Sequence, residues 1–336
     1  MTLRVVTPGL QTTVQDLGRL GHQRDAVPVG GAMDRQALRV ANILVGNPDG
    51  AAALEVSLIG PALLFERDQL IALAGGDLEA TIDHEPVPIW HPIWVRRGAT
   101  LRFGRVRTGC RAYIGVAGGI DVPAVFGSRS TYLRGGFGGV LGRALLAGDV
   151  LPVGVPPAAA ESIAAPLRSQ EGRIVVARWS IGSTLRPAYS DDAYVRVIAG
   201  AHAHFLTPAA RETFLGGTFR VSSSSDRMGY RLEGKALALR QPVELLSEGV
   251  GFGTVQLPPG GAPIVLMADA QTTGGYPRLG EVASVDLPLM AQLKPGDRVR
   301  FRLVSLEYAQ AEYLAQEQDR TQARLGIALR HSRRSA

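Results

Sequence analysis

One cysteine, Cys110, and two lysines, Lys235 and Lys294, are all that 336 residues hold of those types. A lone cysteine excludes an intrachain disulfide framework, a redox CxxC pair and a thiolate metal cage, which leaves Cys110 as a small apolar residue of the interior. No apolar run reaches the roughly 18 to 20 residues that a membrane helix needs. The opening MTLRVVTPGLQTTVQDLGR turns polar almost at once and lacks the apolar stretch of a secretory signal. A cytoplasmic chain without a membrane partner is expected. Net charge is +6, and the terminal RHSRRSA holds three arginines and no acid. The remainder carries no basic stripe of the kind that nucleic acid selects.

Familiar catalytic signatures are missing as well. There is no G-x-S-x-G turn to raise a hydrolase nucleophile. VSSSSDR at 221–227 offers serines without the neighbouring lysine that a serine amidase requires. GYRLEGKA at 229–236 fits G-x-x-x-x-G-K but puts Ala236 where a hydroxyl must meet Mg²⁺, and Tyr, Arg and Leu are ill suited to cradle a phosphate. HAH at 202–204 would place two imidazoles on one strand face, with no third ligand in view, so it reads as a surface pair and no metal is expected.

What the chain does have is length for two cores, 46% apolar and 20% charged residues. Forty-one glycines and 21 prolines punctuate short apolar runs such as LLFERDQLIALAG, TLRFGRV, RIVVAR, YVRVIAG and PIVLMAD. That is a strand signature, and it predicts a mainly β protein of sandwich or barrel type with few helices. A Pro/Ala/Ser-rich seam at 155–172 reads as a linker, dividing a domain over 1–154 from a second over 173–305, with a helix and basic tail over 306–336. Asp34 is placed to cap a helix over Arg35–Val45 that Gly46-Asn47-Pro48 ends; a longer helix is expected over about 305–328. RAYIGVAGGIDVPAVFGSRST and APIVLMADAQTTGGYPRLGEV follow one pattern of strand and Gly/Thr-rich loop, through internal duplication or chance likeness between β-domains.

Three polar clusters on Gly-rich turns remain unexplained by folding needs alone. PGLQTTVQDLGRLGHQ (8–23) carries Gln15, Asp16 and Arg19. SDRMGYRLEG (225–234) carries Asp226, Arg227, Tyr230 and Arg231. ADAQTTGGYPRLG (268–280) carries Gln271, Thr272, Thr273 and Tyr276, with Glu248 and Gln256 just upstream. Arginine's planar fork suits a carboxylate, carbamate or phosphate, whereas Gln and Thr offer neutral donors and acceptors to an amide. The same groups also serve to tie loops down.

These clusters, together with GAMDRQALRVANILVGN (31–47), VAGGIDVPAVFGSRST (116–131) and SVDLPLMAQLKPGDRVRF (284–301), closely resemble the biotin-dependent carboxyltransferase family, also called allophanate hydrolase subunit 2-like, which includes the C-type component of bacterial 5-oxoprolinase. The likeness runs in order from about residue 6 to 302. It implies two cyclophilin-like β-barrel domains in one chain, and partners: a smaller B-type (allophanate hydrolase subunit 1-like) component and an A-type 5-oxoprolinase component. It also implies a small-molecule amide as substrate, with ATP-dependent opening of the 5-oxoproline lactam as the leading activity. Carboxyl transfer to urea or a related amide, and a regulatory role against a sporulation-kinase inhibitor that resembles the B-type component, are the alternatives. Neither lysine lies in a Met-Lys-Met motif, so no biotin is attached to this chain, and ATP is expected mainly on a partner. On this reading Asp16, Asp226, Arg227 and Asp286 are the catalytic candidates. Arg227 and Arg231 hold an anion, Gln15, Gln256, Gln271 and Thr273 meet the amide, and Arg19, Tyr230, Glu248, Thr272 and Tyr276 complete the binding set. Arg227→Ala is expected to lower turnover and leave the fold intact.

Overall fold

A computed structural model describes residues 2–332, so the last residues of the basic tail lie outside the described part. The chain divides into two compact units: unit 1 is Met1–Gly18, Asp34–Pro187 and Glu317–Ala336, and unit 2 is Arg19–Met33 and Ala188–Gln316.

In chain order the strands of unit 1 are β1 (Thr2–Thr7), β2 (Gln11–Gln15), β3 (Ala53–Ser57), β4 (Ala62–Phe65), β5 (Gln69–Asp77), β6 (Thr81–Ile82), β7 (Glu85–Pro86), β8 (Pro92–Val95), β9 (Thr100–Arg102), β10 (Thr108–Val116), β11 (Val150–Pro152) and β12 (Ile174–Val176). They form two six-stranded sheets, ordered β11-β1-β4-β9-β6-β7 and β12-β8-β5-β10-β3-β2. Period-two alternation sends Leu3 and Val5, Leu63 and Phe65, Leu54 and Val56, and Ile71 and Leu73 into one shared apolar core. The opposite face of the second sheet packs against α1 (Arg35–Leu44). Asp34 caps that helix, its Oδ1 accepting from Ala37 N at 2.8 Å. The fit is close enough that a Cβ at Gly115 of β10 would come within 2.8 Å of the Ala41 carbonyl oxygen.

The stretch 155–172, expected as a linker, instead contains α2 (Ala158–Arg168). Alanine favours the helix, and Ala160, Ile163, Ala164 and Leu167 recur at helical spacing and are all buried. Beyond it β12 pairs antiparallel with β8, so residues expected to open the second domain complete a sheet of unit 1. The first domain also loses 19–33 to unit 2 and gains the last turns of the C-terminal helix.

Unit 2 contains β13 (Asp192–Ala199), β14 (Phe219–Val221), β15 (Gly229–Glu233), β16 (Glu248–Gly249), β17 (Thr254–Gln256), β18 (Ile264–Leu266), β19 (Thr273–Gly274), β20 (Arg278–Val282) and β21 (Arg298–Val304). Seven of these close into a barrel in the order β13-β20-β17-β18-β15-β14-β21, while β16 and β19 form a separate two-stranded antiparallel ladder. Closure removes the exposed edges an open sheet would present. The barrel is filled by Val195, Val197, Phe219, Val255, Val265, Val299 and Phe301, and Met33 from the early segment joins them. Helices α3 (Pro208–Gly216), α4 (Leu287–Ala291) and the long α5 (Leu306–Ser332) complete the chain.

Two motifs find new settings. The His202-Ala203-His204 triplet lies not on a strand face but at a 3-10 turn over Ala203–Phe205, where both imidazoles pack on Phe205 at 5.4 and 4.3 Å between centroids. β13 has already ended at Ala199, and at the next position a Cβ would come within 2.4 Å of the Arg278 carbonyl oxygen, which suits Gly200. GYRLEGKA begins as β15, whose backbone pairs with β14 and β18, so it is not a phosphate loop.

Candidate functional site

Within unit 1, Gln15 ends β2 fully buried; its Nε2 donates to Thr13 Oγ1 at 3.0 Å and to Thr131 O at 3.2 Å, while Oε1 meets no donor among the described residues. Asp16 follows as a knot for the loop opposite. Its Oδ1 accepts from Gly18 N (2.8 Å), Ser128 Oγ (2.6 Å) and Ser130 Oγ (2.5 Å), and its Oδ2 from Arg129 N at 2.6 Å. A carboxylate so fully engaged is suited to orienting its surroundings rather than to accepting a substrate proton.

Sequence reasoning missed the row beside it. Thr13, Glu55 and Tyr113 pair across β2, β3 and β10 and so stand on one face of the sheet. Tyr113 Oη donates to Glu55 Oε2 at 2.6 Å and accepts from Asp34 N at 2.7 Å, joining the sheet to the cap of α1. Burial first, then the Glu55 and Asp34 charges, push the Tyr113 phenol well above its ordinary value. Arg35, next along, is lowered by burial, with the Asp16 charge opposing. Alternation alone assigns Glu55 and Tyr113 to an outward face; only the helix laid over that face makes them interior.

In unit 2 the predicted residues separate into several groups. Arg227 is locked to Asp269, Nε to Oδ2 at 2.8 Å and Nη2 to Oδ1 at 3.0 Å, and Nη2 also donates to Gly31 O at 2.6 Å. Arg19, 1% exposed, lies alongside: a Cβ at Gly30 would sit 3.1 Å from its Nη1 and 3.5 Å from Asp269 Oδ1. The expectation that Arg227→Ala spares the fold is therefore corrected, because that change would strand the buried Asp269 carboxylate. Asp226 is exposed and forms an Asx turn, its Oδ1 accepting from Met228 N at 2.8 Å and Gly229 N at 3.2 Å.

Along β15 the two candidates point apart. Tyr230 is buried in the barrel and donates to Leu293 O at 3.1 Å, whereas Arg231 projects to the exposed outer face. Asp286 lies elsewhere in the unit, accepting from Arg196 N (2.7 Å), Nε (2.9 Å) and Nη2 (2.6 Å). Arg196 reaches on to Glu312 of α5 at 2.7 Å, and these partners, Asp286 foremost, hold its guanidinium above the ordinary arginine value.

The remaining predicted residues do come together. ADAQTTGGYPRLG leaves the barrel after Asp269, crosses its outer face as β19 and returns as β20. Glu248 pairs with Gly274 and Gly249 with Thr273, and Val250 N donates to Thr272 O at 3.0 Å. Beneath this ladder lies Gln256, 1% exposed, so close that a Cβ at Gly274 would overlap its amide nitrogen. Arg278, opposite Gln256 in the β17–β20 register, donates to Glu248 Oε2 at 2.7 Å. Thr254 Oγ1 donates to Glu281 Oε2 at 2.8 Å, and burial raises the Glu281 carboxyl above its ordinary value. Gln271 and Tyr276 are exposed at the rim. Arg278 lies within the 268–280 stretch and Glu281 directly after it, yet neither stands out in sequence, because pairing with Gln256 and Thr254 across 22 and 27 residues is a matter of register.

This arrangement offers amide, hydroxyl, guanidinium and carboxyl groups for holding a small polar molecule. Neither lysine belongs to it: Lys294 Nζ is paired with Asp297 at 2.9 Å and Lys235 is exposed. Among the described residues no cluster of His, Cys, Asp and Glu could hold a metal, and no helix is long and apolar enough to cross a membrane.

A family profile described as "Carboxyltransferase domain, subdomain A and B" matches residues 25–303. A protein of Escherichia coli (strain K12), named as the C-type component of 5-oxoprolinase, is 40% identical over 307 residues, covering 91% of this chain and 93% of its own. Its namesake from Haemophilus influenzae is 38% identical, covering 89% and 90%. Among solved structures, the Kluyveromyces lactis urea amidolyase aligns with a TM-score of 0.86 at 31% identity, covering 96% of this chain and 20% of that one.

Proposed function

Because the chain belongs to the carboxyltransferase-domain family, subdomains A and B, we propose that it works as the C-type component of an ATP-dependent 5-oxoprolinase, opening the lactam of 5-oxoproline to glutamate together with A-type and B-type components. The observation that carries this reading is co-extension: the relatives named as that 5-oxoprolinase component match this chain over about nine-tenths of both lengths.

A lactam resists water because its nitrogen lone pair is delocalised into the carbonyl. ATP, held mainly by a partner, would supply the phosphoryl group that makes the lactam oxygen a leaving group. This chain's part is to bind and orient the amide and to stabilise charge on its oxygen. Gln256 and Glu248, with Thr272 and Thr273 in the strand segment above, are the members of the expected set best suited to that work. Arg227 acts one step removed: with its charge answered by Asp269, it steadies the Gly30-Gly31 backbone and the start of the 268–280 stretch. Asp16 and Asp286 orient their surroundings in the same indirect way.

A second reading, carboxyl transfer from biotin carried on another chain to urea or a related amide, draws on the likeness to the urea amidolyase. One experiment separates the two. ADP release is measured for this chain reconstituted with its A- and B-type partners, with and without 5-oxoproline and without biotin. Stimulation that requires all three chains is the expected result. An assembled complex with no stimulation would overturn the lactam reading in favour of carboxyl transfer.

A further inference from the structure

Two buried donors on the outer face of the barrel, under the β16–β19 ladder, have no acceptor among the described residues. Gln256 Nε2 meets none among the described residues, and neither does the buried Nε of Arg278, whose Nη2 is engaged by Glu248. Gln256 and Arg278 are direct partners in the β17–β20 register, so their side chains rise from the same face as neighbours. Folded interiors leave few buried N–H groups unanswered, since each loses its water and gains nothing in return. Two of them side by side are a strong local exception.

The surroundings define what would answer them. Arg278 is already paired with Glu248, so its charge is answered and the donor pair does not demand an anion. A carbonyl oxygen, with two lone pairs, can accept from both N–H groups at once. The neighbouring Thr254–Glu281 pair supplies further polar atoms. The cover is slight: the ladder has two residue pairs, and Glu248, Gly249 and Thr273 are exposed, so opening it uncovers little apolar surface.

We infer that the Gln256 amide and the Arg278 guanidinium together bind the carbonyl oxygen of a small amide, which enters beneath the ladder formed by 248–249 and 273–274. The identity of that amide as the lactam of 5-oxoproline rests on the function proposed above; the donor pair does not.

The test uses the complex reconstituted with A- and B-type partners, with 5-oxoproline and urea as probes. Binding is followed calorimetrically, and turnover by product release. Gln256→Met keeps the length of the side chain and removes both donors. It should weaken binding of whichever probe the wild type takes by about tenfold or more, the scale of one lost hydrogen bond to a ligand. KM should rise more than kcat falls, and the melting temperature should hold or rise, because an unanswered donor has gone. Arg278→Lys keeps the charge opposite Glu248 and removes Nε; a loss in the same direction is expected. A purely structural amide would give the rise in melting temperature with probe binding unchanged, and that would overturn the inference. So would a wild-type complex that binds neither probe. If 5-oxoproline drives ADP release equally well in Gln256→Met, the donor pair falls and the lactam reading stands. If urea binds in a Gln256-dependent way and 5-oxoproline does not, the lactam reading falls and the donor pair stands.

Discussion

Arg227 and Asp269 hold each other by two hydrogen bonds at 2.8 and 3.0 Å, in a place where they are 7% and 4% exposed. Removing either partner leaves a buried charge without its complement. Arg227→Ala and Asp269→Ala should each cost about 3–5 kcal/mol in urea denaturation of the full chain. Replacing both with apolar residues of similar volume should cost less than the sum of the two. Additive losses would mean that the pair is not coupled.

Gly30, at a φ of +63°, faces Arg19 and Asp269, the second of them a member of that pair. Gly30→Ala would combine left-handed strain with crowding of Arg19 and Asp269, and a loss of roughly 1–3 kcal/mol is expected. An unchanged denaturation midpoint would show that the loop yields freely.

Tyr113 gives unit 1 a dependence on alkaline pH. Its folded phenol is raised above the unfolded value, so the native state keeps a proton that the unfolded chain gives up. That contribution to stability is full below about pH 10 and is lost as pH rises from there through the folded value. Tyr113→Phe, which also leaves Asp34 N–H without its acceptor, should lower stability at neutral pH by about 1–3 kcal/mol and flatten the alkaline limb. Urea midpoints between pH 8 and about 11 would check both effects.

Asp16 gathers four donors from Gly18 and from residues 128–130. Asp16→Asn turns one acceptor oxygen into an NH₂ that must face an N–H or hydroxyl donor. A loss of about 1–3 kcal/mol should follow, with faster proteolysis in the 128–131 segment. Proteolysis unchanged at that segment would assign Asp16 another role.

The parts legible in the sequence were those with local causes. Asp34 announces a helix because a cap needs only its own next three residues, and short apolar runs between glycines announce strands in the same way. α2 escaped because proline and alanine resemble a linker unless the spacing of Ala160, Ile163, Ala164 and Leu167 is counted. The site was half legible for a physical reason as well. The polar composition of 268–280 marks it as more than a turn, yet what each side chain meets depends on partners 22 to 42 residues away in sequence. Arg227 looked like an anion holder because its own anion, Asp269, arrives from that other stretch.

The assignment of 19–33 to unit 2, while the chain on either side builds unit 1, sets an order for folding during synthesis. The ribosome delivers the early segment more than 150 residues before the barrel that uses Met33 and the Gly31 carbonyl has been made. Those residues must stay available through the making of unit 1. Unit 1 in turn waits for the final helix, whose Glu317, Arg320 and Arg324 reach Arg39, Gln36 and Asp49. Neither unit corresponds to an uninterrupted length of the chain, and a fragment cut at 187 deprives both of material.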